Sequence, residues 1–221
     1  MAHYLIFGGS GGIGAAIARK LSSGGHTVHI TGRDVSKLKA VAFETGAKFT
    51  VGDVLDGDFI SKAVAEAGPS LDGLAYAVGT INLKPVARLS DADFHNDFAV
   101  NALGAVKAVQ AALPALKAST GTASILFFST IAVAQGFASH ASISMAKGAI
   151  EGLTRALSAE LAPKIRVNAI APSLTDTPLA KAITANPAIA QGVAALHALP
   201  RLGEADDIAE VEEIHDENTT H

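Results

Sequence analysis

The residue types best suited to chemistry stand near the start of the chain. An apolar run ends at Phe7, and Gly8-Gly9-Ser10-Gly11-Gly12-Ile13-Gly14 follows. A pyrophosphate needs backbone N–H groups that no Cβ obstructs, and the first turn of a helix adds a favourable dipole. Gly9, Gly11 and Gly14 match G-x-G-x-x-G, while Gly8, Gly12 and Gly14 match G-x-x-x-G-x-G. Either spacing alone is a weak signal, because glycines also make tight turns. Here the loop joins a strand-like run to a helix-like one, which is the context that dinucleotide binding requires.

A second group of residues bears on the choice of cofactor. The next strand-like run ends Ile30-Thr31-Gly32-Arg33-Asp34. An acid at that tip would hold an adenosine ribose 2′-OH, and an arginine would hold a 2′-phosphate. Thr31 and Gly32 occupy the tip and Arg33 follows, which points to NADP(H), with Lys37 as a possible second cation. Asp34 is the counter-indication. It either caps the following helix or contacts a ribose, as an NAD(H) site would have it.

These residues need a scaffold, and the pattern supplies one. Apolar strand-like runs cover 3–7, 27–31, 47–51, 71–78, 122–129 and 165–170. Ala-rich helical stretches lie between them, at 12–23, 35–45, 58–67, 91–117 and 141–161. Continuous apolar strands alternating with helices imply a parallel sheet covered on both faces. The expected fold is therefore an α/β Rossmann-type doubly wound sheet, in the order 3-2-1-4-5-6. Pro114 should end or kink its helix. Residues 178–200 carry Pro178, Pro187 and an Ala-rich run after the sixth strand, as a helical lid or an ordinary surface hairpin. Residues 210–221 turn acidic and polar and are expected to form a tail.

Composition sets limits on everything else. The 221 residues fit one domain, 1–221, with 49% hydrophobic and 17% charged residues. A net charge of −4 gives no reason to expect nucleic acid or an acidic membrane. There is no cysteine, which excludes disulfides and thiolate chemistry, and no metal site is expected. No apolar run looks long and clean enough to span a membrane, and the N-terminus carries no leader-like stretch. The expectation is a cytoplasmic protein.

The chain as a whole resembles the short-chain dehydrogenase/reductase family, from residue 3 to about 209. Gly8, Gly12 and Gly14 match that family's glycine motif, and Asp53-Val54 match its adenine-contacting pair. Val100-Asn101-Ala102-Leu103-Gly104 matches the stretch around its active-site asparagine. The run from Ala146-Lys147-Gly148 through Glu160-Leu161-Ala162 to Ile165-Arg166-Val167-Asn168-Ala169-Ile170-Ala171-Pro172 matches its active-site helix and the strand after it. The resemblance implies further roles. Lys147 would hold the nicotinamide ribose, Gly79 and Pro172 would border the cofactor, and Thr177 would meet the carboxamide. A small-molecule substrate and a homodimer or homotetramer are implied as well. A dimer is favoured by the long Ala-rich stretches 91–117 and 141–161, and by the loss of a contact that the missing last strand would make.

The departures are as specific as the matches. The family's tyrosine, four residues before the lysine, is Ile143 here, and the chain holds only Tyr4 and Tyr76. The family serine aligns with Thr130, next to Ser129. The turn after the fourth strand, Tyr76-Ala77-Val78-Gly79, keeps only the glycine, and the family's seventh strand is missing. Lys147, Asn101 and a hydroxyl at Thr130 or Ser129 thus remain, without the usual acid. The helical face leading back from Lys147 carries Ser144, Ile143 and His140. Of these, a histidine is the best-matched acid by type. Two functions follow: an NADP(H)-dependent reductase of a carbonyl or activated double bond with a non-standard proton donor, or a catalytically silent NADP(H)-binding regulatory or oligomer-partner protein.

Overall fold

The computed structural model describes residues 1–216, and for 211–216 only the backbone. The strands are β1 (His3–Phe7), β2 (Thr27–Gly32), β3 (Lys48–Val51), β4 (Gly73–Tyr76), β5 (Ala123–Phe128) and β6 (Ile165–Ile170). They form one parallel sheet in the order β3-β2-β1-β4-β5-β6. The expected 3-2-1-4-5-6 order is observed. The central strands β1, β4 and β5 read as largely apolar runs because helices cover both faces.

On one face lie α3 (Phe59–Ala67), α5 (Gly104–Lys117) and α7 (Ala141–Leu161). On the other lie α1 (Gly12–Ser23), α2 (Val35–Thr45) and α10 (Ala205–Asp216). β1, β4 and β5 feed both cores by alternation: in β1, Leu5 and Phe7 face one layer, and Tyr4 and Ile6 the other. α1 begins at the glycine loop without a side-chain cap, and α2 is capped by Asp34.

Several expectations need correction. The long helix expected at 91–117 is in two parts, α4 (Asp91–Phe98) and α5, joined by one π-helical turn at Ala99–Leu103. The cause is local. The Asn101 side-chain nitrogen donates to the Asp97 carbonyl at 2.8 Å, taking the acceptor that the α-helical ladder would use. The Tyr76 hydroxyl donates to the Val100 carbonyl at 2.7 Å within the same turn. Pro114 does not stop α5, which runs on to Lys117.

This continuous Asp91–Lys117 stretch also corrects the membrane expectation. With a mean hydropathy of 1.3 it is long and apolar enough to cross a bilayer. Half of that window is buried, and Ala105, Ala108, Ala112 and Leu116 serve the core. The expected tail at 210–221 is helical as far as it is described. Glu210 continues α10 to Asp216, while 217–221 lie outside the described residues. Asp206 and Asp207 in the first turn of α10 suit the helix dipole, and Ala209 packs against the α1 layer.

Among the described residues no seventh strand extends the main sheet. Two residue pairs instead form a small parallel ladder, β7 (Thr175–Asp176) with β8 (Gly203–Glu204). The segment between them holds α8 (Lys181–Thr184) and α9 (Pro187–Ala194) beyond the carboxyl end of β6. Its base is fastened by Ser173 Oγ to His197 Nε2 at 2.7 Å and by a two-pronged Arg201–Asp207 pair.

Candidate functional site

A cavity of about 310 Å³ opens at the carboxyl ends of the strands. In a doubly wound sheet this is where ligands bind. One wall is the glycine loop, with Gly8, Ser10, Gly12, Ile13 and Gly14. Gly8 has φ +82°, and a Cβ there would stand 2.9 Å from the Ala77 backbone. A Cβ on Gly12 would come within 2.7 Å of Thr177 Cγ2, and one on Gly14 would collide with the Gly8 carbonyl oxygen. The loop is thus shaped by the absence of side chains, and the uncapped first turn of α1 leaves N–H groups for an anion. These features fit a dinucleotide pyrophosphate.

A second wall is formed by Arg33, Asp53 and Val54. Arg33 is 81% exposed and pairs with Asp53 at 3.4 Å. Asp34, the counter-indication in the sequence, is used elsewhere. Its carboxylate accepts from Ser36 N at 2.9 Å and Lys37 N at 3.1 Å, and it does not line the cavity. Lys37 leans on Asp34 at 3.8 Å rather than joining Arg33. Gly79 and Thr177 close the remaining sides. Pro172 stands outside the lining, and its carbonyl accepts from Ile131 N at 3.2 Å.

The residues suggested for proton transfer sit deeper. Lys147 donates to the Phe128 carbonyl at 2.8 Å, and burial lowers its pKa from 10.5 to about 8. Asn101 is buried, and its Oδ1 has no hydrogen-bond partner. A Cβ built on Gly79 would be 3.1 Å from Asn101 Oδ1 and 3.4 Å from Lys147 Nζ. Both side chains therefore converge on Gly79, which itself lines the cavity. A buried acceptor facing an ammonium across an open glycine suits a ligand hydroxyl or a water.

The other candidates divide. Ser129 is committed to α7, donating to Glu151 Oε1 at 2.7 Å. Thr130 Oγ1 accepts from Ala132 N at 3.3 Å and keeps its proton free to donate. His140 is not brought to Lys147. It stands two turns of α7 away, about 10 Å along the axis, with Nδ1–H donating to the Ala138 carbonyl at 2.7 Å and its ring edge-on to Phe137. Ser144 contacts the Ala132 carbonyl at 3.4 Å. Ile143 is buried. Tyr76 is buried in β4, its phenol pushed well above its ordinary value by burial and held on Val100.

The sequence reading missed a group of three. Asp97, 1% exposed, accepts from Thr80 Oγ at 2.7 Å and from Ser142 Oγ at 2.6 Å. Thr80 in turn accepts from Asn101 Nδ2 at 2.9 Å. The Asp97 backbone carbonyl, which can only accept, fixes that nitrogen and so turns Asn101 Oδ1 the other way. Thr80 lines the cavity, so this buried network reaches the ligand surface.

Comparison with known proteins agrees with this geometry. A family described as enoyl-(acyl carrier protein) reductase matches residues 8–212. The chain belongs to the short-chain dehydrogenase/reductase family. It is 37% identical over 185 residues to a 3-dehydrosphinganine reductase of Arabidopsis thaliana, covering 80% of this chain and 56% of that protein. It is 31% identical to the 3-oxoacyl-(acyl-carrier-protein) reductase of Aquifex aeolicus, covering 94% and 86%. A short-chain dehydrogenase/reductase from Brucella melitensis, described as a glucose/ribitol dehydrogenase, superposes with a TM-score of 0.88 at 32% identity, covering 95% and 86%. The chain spans little more than half the length of the 3-dehydrosphinganine reductases it matches. The family is one of oxidoreductases that bind nicotinamide cofactors.

Proposed function

We propose that this protein is an NADP(H)-dependent reductase of a carbonyl or activated double bond, with Lys147 in place of tyrosine as the proton donor. The observation that carries this reading is the convergence of Lys147 Nζ and the unpartnered Asn101 Oδ1 on Gly79. Arg33, open at the cavity and with Asp34 withdrawn into a helix cap, supports a 2′-phosphate. A bound nicotinamide supplies the hydride.

The chain's own residues do the rest. The glycine loop holds the pyrophosphate, and Thr130 donates a hydrogen bond that orients the substrate oxygen. Lys147, with a pKa near 8, gives up a proton more readily than an ordinary lysine and still holds it at pH 7. The substrate oxygen gains that proton as its carbon gains the hydride, and solvent reprotonates Lys147. Homodimerisation, through α5 and α7, belongs to the same reading, and light scattering measures it.

The test is NADPH oxidation against ketones, quinones and enoyl thioesters across pH. The acid form of Lys147 exists below its pKa, so turnover should be level below pH 8 and fall about tenfold per unit above it. Lys147→Met should lower turnover about a hundredfold or more. NADPH binding without turnover on any substrate, with Lys147→Met unchanged from the parent, would favour the silent-binder reading instead.

A further inference from the structure

The mouth of the catalytic half carries two long stretches without a charged residue. Residues 129–146 follow β5, and residues 182–200 belong to the segment after β6. Neither contains an Asp, Glu, Lys or Arg, in a chain with 17% charged residues. α9 is built mainly of Ala, Ile, Val and Pro, yet buries none of its residues. Large side chains stand open on the loops beyond three adjacent strands. Ile81 and Val86 follow β4, Phe137 follows β5, and Leu179, Leu196 and Leu199 follow β6, with exposures from 38% to 83%. Lys84 N donates to the Ser139 carbonyl at 3.1 Å, so the first two loops touch. Leu179 is itself part of the cavity wall, which makes this surface continuous with the cofactor site.

From this placement we infer that the substrate carries a long apolar chain. Its carbonyl lies by Lys147 and its chain runs out beneath the segment 177–200. This rests on the reductase reading and adds the substrate class. Exposed apolar surface of this extent on one rim marks a binding surface. A hydrocarbon tail is the occupant that needs no charged partner, and these two segments carry none.

The test is a series of β-keto methyl esters with unbranched chains of increasing length, reduced with NADPH. Each methylene buried should raise kcat/KM about two- to fourfold until the chain outruns the surface. In Leu196→Ser/Leu199→Ser the gain per methylene should shrink, whereas Phe43→Ser, at an exposed site on α2, should leave it unchanged. A flat series, or a preference for the shortest ester, overturns the inference while leaving the reductase intact. Should no ester be reduced, the reductase reading fails by itself. Binding of 1-dodecanol to the NADPH-loaded protein then decides the substrate surface: saturable binding weakened in the double variant supports it, and no binding overturns it. A fall in oligomer mass in the double variant assigns the surface to a second copy. Co-sedimentation with phosphatidylcholine vesicles, lost in the double variant, assigns it to a lipid surface. Either result overturns the inference.

Discussion

Around β1 to β3 the ligand-facing surface is backbone. Gly8, Gly12 and Gly14 bring the chain close enough that a Cβ would collide with Ala77, Thr177 or Gly8 itself, and only Arg33 adds a charge suited to an anion. Around β4 to β6 the cavity is backed by side chains that reach its lining through Thr80. Asn101, Thr80, Asp97 and Ser142 are joined in one buried network, and Lys147 stands against it with a lowered pKa. The first half recognises by shape and dipole, which the order of a few neighbouring residues specifies. The second works by directed hydrogen bonds between elements far apart in sequence: Thr80 and Asp97 are separated by 17 positions, and Asp97 and Ser142 by 45.

The sharpest way to break this contrast is to disable each half separately. Lys147→Met should act on the second half alone: turnover is expected to be lost while NADPH affinity is largely kept. Its effect on stability has the opposite sign. Lys147 has a lowered pKa in the fold, so between about pH 8 and 10.5 the unfolded chain binds more protons, and stability rises with pH through that window. At pH 7 the desolvated, partly buried ammonium costs stability, and Lys147→Met should raise the thermal midpoint by a few degrees. A lower midpoint would mean that the ammonium is well satisfied where it is.

Gly12→Ala breaks the first half. The new methyl meets Thr177 Cβ and Cγ2 at under 3 Å, so the loop or the base of the 177–200 segment must shift. Overpacking of this kind costs about 1–3 kcal/mol, which as lost binding is roughly five- to a hundredfold for NADPH and NADH alike. Calorimetric titration with both cofactors reads it. Arg33→Ala should distinguish them. The side chain is largely exposed, so solvent screening holds the loss for NADPH to about tenfold, with NADH unaffected. Equal losses would remove Arg33 from cofactor selection.

The two halves also differed in how far the sequence could be read. The glycine loop, Arg33, Asp53 and Val54 are local signals, and the structure gathers them around one cavity. The sheet order followed from strand and helix alternation. The π-helical turn was not visible, because Ala99–Leu103 keeps the apolar periodicity of the helices on either side. Its cause is a side chain competing for a backbone carbonyl, which periodicity does not encode. Asp97 left one usable trace, a carboxylate one helical turn before Asn101 on a stretch whose other half is apolar. Its partners Thr80 and Ser142 read as ordinary loop and helix residues. β7 and β8 are two residues each, too short to leave any pattern.

Thr80→Val tests whether that network matters to the reaction. The change keeps the shape and removes the hydroxyl, so Asp97 Oδ1 loses a donor and Asn101 Nδ2 loses an acceptor. The Asp97 carbonyl still holds Asn101, so the effect should be moderate: kcat down about three- to tenfold with KM for NADPH unchanged, in line with one lost hydrogen bond. Thr80→Ser keeps the hydroxyl and should retain most of the activity. Equal losses in both variants would make the residue a packing element only.

The smallest effect is expected at His140, and it separates helix geometry on paper from helix geometry in the fold. Counting back from Lys147 puts His140 on the same face, as a histidine acid requires. In the structure the same count places it two turns off, at the start of α7, where Nδ1–H is engaged by the Ala138 carbonyl and the ring lies against Phe137. A donor must come within hydrogen-bond reach of the oxygen it protonates; in the proposed reading Lys147 would do so from beside Gly79, while His140 faces the loop before its own helix. His140→Ala should therefore keep turnover within about twofold, the modest change expected for an interaction remote from the reacting atoms. The fall in activity above pH 8 should persist in this variant. Loss of a hundredfold or more would return the acid role to His140 and leave Lys147 as a cofactor anchor.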